Sequence, residues 1–299
     1  MKELIKKGMN SLGFDIVKSV KPVNDTPLYI KTYGEESVKR KAFYNISAAG
    51  HFGFGGGFTH PCWTNIDVDL GDAIFPCFDP DKDIAHDPLD MGELPLEVNS
   101  AELVQCRFAI EHMSNAAALK LFKEIYRILK PGGILKVVVP NFRLDYEAYK
   151  RGDRNYFSWI DLYSNPLMMK NLNLKEPLTH SSLEQVFLVH FAAQASTVHL
   201  DGSENRISDD ELNGIMEEFP FEKAMDYCTA RCSMDKQRIY RKNHVNWWDA
   251  SKVSRFLSEA GFNTVIGLSP GQSVSPVMRR TPNFDKLWSD VAIYVEGVK

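Results

Sequence analysis

A chain of 299 residues, 44% hydrophobic and 25% charged, has the make-up of an ordinary folded protein, which excludes a disordered or fibrous one. Its net charge of −4 argues against a general nucleic-acid binder, and no apolar run approaches the roughly 20 residues that span a bilayer. Five cysteines at irregular spacing fit reduced thiols, and with no signal-peptide pattern at the start a cytoplasmic protein is expected.

Taken in chain order, residues 1–20 predict a short basic amphipathic helix with Leu4, Ile5 and Leu12 on one side, stopped at Gly13. Residues 1–41 are read as an N-terminal cap. From Ala42 the pattern turns to strands: AFYNI, TNIDVD, AELVQC and ILKVVVP are nearly continuous apolar runs, as in strands covered on both faces. Between the last two, Ser114 can cap a helix whose Ala118, Leu121, Phe122, Ile125 and Leu129 recur at helical spacing, with KPGG as the stop. Residues 42–142 therefore read as half of an α/β domain. Residues 143–243 are far longer than the single helix a doubly wound fold needs there and read as a mostly helical substrate-binding insertion. Residues 244–299 close the domain with a helix carrying Val253, Phe256 and Leu257 and ending at Gly261, then strand NTVIGL and a last strand, DVAIYVEGVK, expected to pair antiparallel.

Two features point to a ligand. Ser47, Ala48, Ala49 and Gly50 after the first strand let a backbone approach a ligand closely, and Asp67, followed by Val68 at the end of the second, can accept both hydroxyls of a ribose; a flexible turn explains the small residues equally well. Residues 67–102 carry ten more acids than bases, which suits a cationic ligand better than a polyphosphate.

FYNISAAG, HPCWTNIDVD, DIAHDPLD, the EHM of residues 111–113 and EIYRILKPGGILKVVVPNF stand in the order and spacing of class I S-adenosylmethionine-dependent methyltransferases, and the chain particularly resembles the type 11-like branch with a WINID second strand. The resemblance covers residues 41–142 and leaves the insertion unmatched. It implies a doubly wound, mostly parallel seven-stranded sheet with the last strand antiparallel, and S-adenosyl-L-methionine as cofactor. By the same resemblance Ser47 to Gly50 line the methionine part, Asp67 and Val68 hold the ribose, Asp87 takes the adenine amino group with Pro88 and Leu89 beside the ring, and Arg107, Phe108, Glu111 and His112 face the sulfonium. Departures exist. Ser47 and Ala49 stand where the family has glycines, and few residues separate the first two strands, so the customary helix over residues 51–62 is expected to be shortened or absent.

The acceptor is less legible. His199, His180 and His244 are candidate bases, with His190 a fourth, and His199 is favoured because Asp201 is near in sequence. Asn141, Arg143 and Tyr146 leave a strand end where acceptors sit, and Arg238 and Arg241 could take a phosphate or carboxylate. No metal is expected. Relatives with this domain style suggest a small or glycan acceptor, the least residue-based expectation of all, with polysaccharide biosynthesis as the setting. The oligomeric state stays open, a homodimer included. Two rival readings remain: a glycosyltransferase using the DVD of residues 67–69, and a non-catalytic partner protein that keeps the fold.

Overall fold

The computed structural model describes residues 24–46, 60–68, 81–201, 205–279, 283–285 and 289–299. The expected N-terminal helix, the loop of Ser47, Ala48, Ala49 and Gly50, most of the 51–62 stretch, and Asp69 of the DVD motif lie outside the described residues.

Helix α1 (Thr26–Lys39) leads into β1 (Phe43–Ile46), β2 (Trp63–Asp67), β3 (Ile84–Ala85) and β4 (Ala101–Arg107). Helix α2 (Asn115–Ile128) and β5 (Leu129–Pro140) follow. The next stretch is helical: α3 (Phe142–Lys150), α4 (Ile160–Tyr163), α5 (Pro166–Leu172), α6 (Leu183–Ala192), α7 (Asp209–Glu218), α8 (Phe221–Thr229) and α9 (Met234–Ile239). Helix α10 (Ala250–Ala260), β6 (Thr264–Leu268) and β7 (Ala292–Val298) complete the chain.

The strands form one seven-stranded sheet in the order β3-β2-β1-β4-β5-β7-β6. β3 to β5 are parallel, and β7 runs antiparallel to both β5 and β6. This is the fold class expected from the sequence. β3 was not legible as a strand, because two residues carry no periodicity.

Local chemistry explains the elements. The Ser114 hydroxyl accepts the Ala117 amide at 3.2 Å to start α2, and Ala118, Leu121, Phe122, Ile125 and Ile128 form its buried face. The helix ends at Ile128 rather than within KPGG, and those residues belong to β5 as an irregularity that shifts the register between the Ala101 and Leu103 pairings. Gly132 has φ +80°, and a Cβ on Gly133 would meet the Lys130 carbonyl at 2.8 Å. Asp249 caps α10 through the Lys252 amide at 2.7 Å, and Gly261 at φ +113° ends it.

On one face of the sheet Tyr29 of α1 packs with Phe43, Trp63, Leu103, Ile134, Met278 and Phe284. The other face belongs to a larger apolar cluster running through α2 and α10 into α6, where Phe187 and Phe191 are fully buried. A polar row crosses the sheet at paired positions, Asn65, Asn45, Gln105, Lys136 and Glu296. Asn45 donates to Asn65 at 3.1 Å and Gln105 donates to Asn45 at 3.2 Å. Lys136 meets Asp285 at 2.6 Å with both side chains sealed from water.

The helical stretch is moored where it leaves and returns. The Phe142 amide donates to the Trp248 carbonyl at 3.1 Å, and the Val245 and Asn246 amides donate to the Glu111 carbonyl at 2.9 and 3.1 Å.

Candidate active site

The carboxyl ends of β2, β4 and β5 deliver Asp67, Arg107 and Pro140 to one edge of the sheet. Asp67 is buried and its Oδ1 accepts the Val68 amide at 2.8 Å. Beyond β4 the backbone turns sharply, with Phe108 in the left-handed region at φ +49°, a conformation that side chains rarely adopt outside functional or constrained turns. Arg107 is partly buried; burial lowers its pKa while Asp285 and Tyr294 oppose that shift.

Asp87 caps the turn that starts at Pro88, its Oδ1 accepting the Leu89 amide at 3.0 Å. Its Oδ2 accepts from Arg241 at 2.7 Å. Arg238 binds Asp90 at 2.7 Å and the Leu89 carbonyl at 3.0 Å. Burial raises the Asp87 pKa, but the hydrogen bonds from Arg241 and Leu89 outweigh it and the net shift is downward. The two arginines expected to await an anionic acceptor thus meet the chain's own carboxylates and clamp α9 and the segment after it onto the loop after β3. The physical reason is the acid excess of residues 67–102, which reads from sequence as a field but not as a set of specific pairs.

The second group lies past Phe108. Glu111 is fully buried, and neither carboxylate oxygen has a hydrogen-bond partner among the described residues beyond the residue's own backbone amide. Burial pushes its pKa up to about 8. His112 Nδ1 donates to the Asn243 carbonyl at 3.0 Å, and His244 Nδ1 donates to the His190 carbonyl at 2.6 Å. The two rings meet edge to face with centroids 4.7 Å apart. Burial lowers His112 to about 4, and burial followed by the two neighbouring histidines holds His244 well below the ordinary imidazole value. Both rings are therefore neutral at pH 7 and each keeps an Nε2 lone pair.

Behind this group, His190 pairs with Asp145, which also accepts from Tyr156 at 2.8 Å. Trp159 and Phe142 pack on the His190 ring at 4.5 and 5.3 Å. Lys252 is buried, donates to Asn246 Oδ1 at 2.9 Å and to the Trp247 carbonyl at 3.0 Å, and lies 4.0 Å from the Trp247 ring centroid. Asn246 in turn donates to the Met113 carbonyl at 2.9 Å, so Lys252 holds the returning segment against the EHM turn.

The other expected residues stand apart. His199 is fully buried; its Nε2 accepts from Asn243 at 2.8 Å, which makes it a support behind His112 rather than an open base. His180 is exposed at the end of a short turn. Arg143 is exposed, paired with Glu147 at 2.9 Å and stacked on Phe221 at 4.7 Å and Tyr146 at 5.6 Å. Asn141 precedes α3 without a side-chain cap bond. Asp145, Asn243, Asn246 and Lys252 carried no local signal, since each acts through a partner tens of residues away or through burial.

A family model described as a methyltransferase domain matches residues 76–137. No curated protein sequence matches the chain at a significant level. Among solved structures, the chain is similar to a Haloferax volcanii methyltransferase in complex with the Trm112 activator at 10% identity, covering 92% of each chain with a TM-score of 0.35. It is also similar to S-adenosylmethionine-dependent methyltransferases from Thermotoga maritima and Mesorhizobium loti. The first has 12% identity, 100% of each chain covered and a TM-score of 0.34. The second has 13% identity, 86% of this chain and 90% of that chain covered, and a TM-score of 0.34. Likeness at that level decides nothing by itself. Among the described residues no helix is long and apolar enough to cross a membrane. The matched segment lies within a sheet whose order places an antiparallel β7 between β5 and β6, and together they assign the chain a class I methyltransferase domain that uses S-adenosylmethionine.

Proposed function

We propose that the chain methylates a small polar acceptor, most simply a hydroxyl of a sugar, glycan precursor or phosphorylated metabolite, at the group formed by Glu111, His112 and His244. The observation that carries this reading is the pair of neutral imidazoles, each locked by a backbone carbonyl with its Nε2 left to engage an acceptor hydroxyl. Bound S-adenosylmethionine supplies an electrophilic methyl on a sulfonium. Asp67 supports a fit to that group with a buried carboxylate at the end of β2 for a ribose, and Phe108, an aromatic residue in the turn after β4, is of a type suited to a cation. Asp87 fits the adenine amino group only by sharing an oxygen with Leu89 or Arg241. His244 is the favoured acceptor-side base among the three expected, because His199 is occupied and His180 is remote from the turn that carries Glu111 in chain and exposed.

S-adenosylhomocysteine at one hundred times its Kd is expected to stabilise the wild type by about 2.7 kcal/mol, and Asp67→Ala to abolish that gain. Thermal melts check this, with circular dichroism to confirm that the variant folds. Absence of any shift at millimolar ligand, or an equal shift in the variant, contradicts the cofactor placement. Calorimetry with a UDP-sugar and manganese in place of S-adenosylhomocysteine tests the glycosyltransferase alternative and is expected to show no heat of binding.

A further inference from the structure

We propose that Glu111, His112 and His244 bind one divalent first-row transition cation through two imidazole nitrogens and a carboxylate. One ligand atom from each of the three residues lies within 4.8 Å of the others. Neighbouring ligands on a metal with bonds of about 2.0–2.2 Å stand roughly 3.3 Å apart, so binding would draw the three atoms inward from that spacing.

The hydrogen bonds make the case. Each neutral imidazole has a single N–H, and His112 and His244 both give it to a carbonyl, of Asn243 and His190 respectively. Neither ring can therefore donate to Glu111. Both Glu111 carboxyl oxygens are buried without a hydrogen-bond partner among the described residues, and two imidazoles that have given their N–H groups elsewhere share the site, so all three residues bring acceptor atoms that a cation would satisfy. The supporting carbonyls are themselves held. Asn243 O also accepts from Gln237 at 2.8 Å, and the His190 side chain is bound to Asp145, which Tyr156 steadies.

Mixed nitrogen and oxygen donors select a transition ion over magnesium or calcium, and three protein ligands leave open positions. Glu111 is sealed while His112 and His244 are partly exposed, so the open side faces the histidines. The inference deepens the proposed function and rests on it for what the cation does: with the cation bound, His112 and His244 would act on the acceptor oxygen through the metal, and the direct base role of His244 belongs to the metal-free site.

The test uses the full chain stripped with a chelator. Titration with Co²⁺, followed by visible absorption and calorimetry, is expected to saturate at one equivalent, with Zn²⁺ displacing the Co²⁺. Glu111→Gln and His244→Gln should each weaken binding by at least the roughly 10–100-fold that loss of a supporting partner costs, with unchanged circular dichroism. Failure of the folded wild type to bind either ion saturably, or binding undiminished in both variants, overturns the proposal. S-adenosylhomocysteine titrated into the same stripped sample separates the two readings. Nucleoside binding without metal binding sinks the cation site alone, and metal binding without nucleoside binding supports the site while sinking the proposed function.

Discussion

Asp285→Asn is expected to cost about 3–5 kcal/mol of folding stability. Asp285 Oδ2 accepts from Lys136 at 2.6 Å and from the Gly271 amide at 2.9 Å, and neither partner of the ion pair reaches water. Asparagine suits the left-handed backbone at φ +58° and keeps the side-chain shape, so the substitution isolates the charge. What remains is a buried ammonium in the middle of β5 whose other hydrogen bond is to the Gln272 carbonyl at 3.3 Å. Chemical denaturation measures the loss. A double variant, Lys136→Met with Asp285→Asn, should recover much of it, because it removes the uncompensated ammonium while asparagine keeps the left-handed backbone. A single-variant loss below about 1 kcal/mol would mean that the pair is not a structural anchor.

Lys252→Met is expected to change how stability depends on pH. Burial pushes the Lys252 pKa down to about 7, against about 10.4 in an unfolded chain. Between those values the unfolded chain holds the proton more tightly, so the wild type gains stability as pH rises through the window, at up to about 1.4 kcal/mol per pH unit. Below pH 7 the ammonium is charged in both states and the full cost of burying it is present. Methionine has no such cost, but it forfeits the bonds to Asn246 and Trp247. The difference between wild type and variant should therefore move in favour of the wild type from pH 7 to pH 10. Thermal melts across that range decide it, and parallel curves for the two proteins refute the assignment.

What the sequence disclosed follows from the range of each interaction. α2 was legible because its cap, its apolar spacing and its stop are local, and even there the stop was misplaced: KPGG belongs to the start of β5, a detail set by pairing with β4. The antiparallel last strand was legible because the connection before it lacks a helical period. Asp67 could be placed at a strand end from its position in TNIDVD alone. The histidines could not be sorted. His180 and His199 had the same intrinsic pKa as His244, and only burial and partners distant in the chain separate them. The acidic run of residues 67–102 and the basic run of residues 231–242 were each visible, yet their meeting at Asp87 and Arg241, 154 positions apart, is a fact of tertiary structure.

Because the Phe142 amide closes on the Trp248 carbonyl at 3.1 Å, the helical stretch enters and leaves the sheet domain at one stitch. A loop fastened at its neck can be exchanged for one of different length without disturbing strand register, so the helical stretch is free to diverge while the sheet stays fixed. The neck is not inert, however: it also carries His244, so any graft that keeps the stitch inherits that imidazole with it.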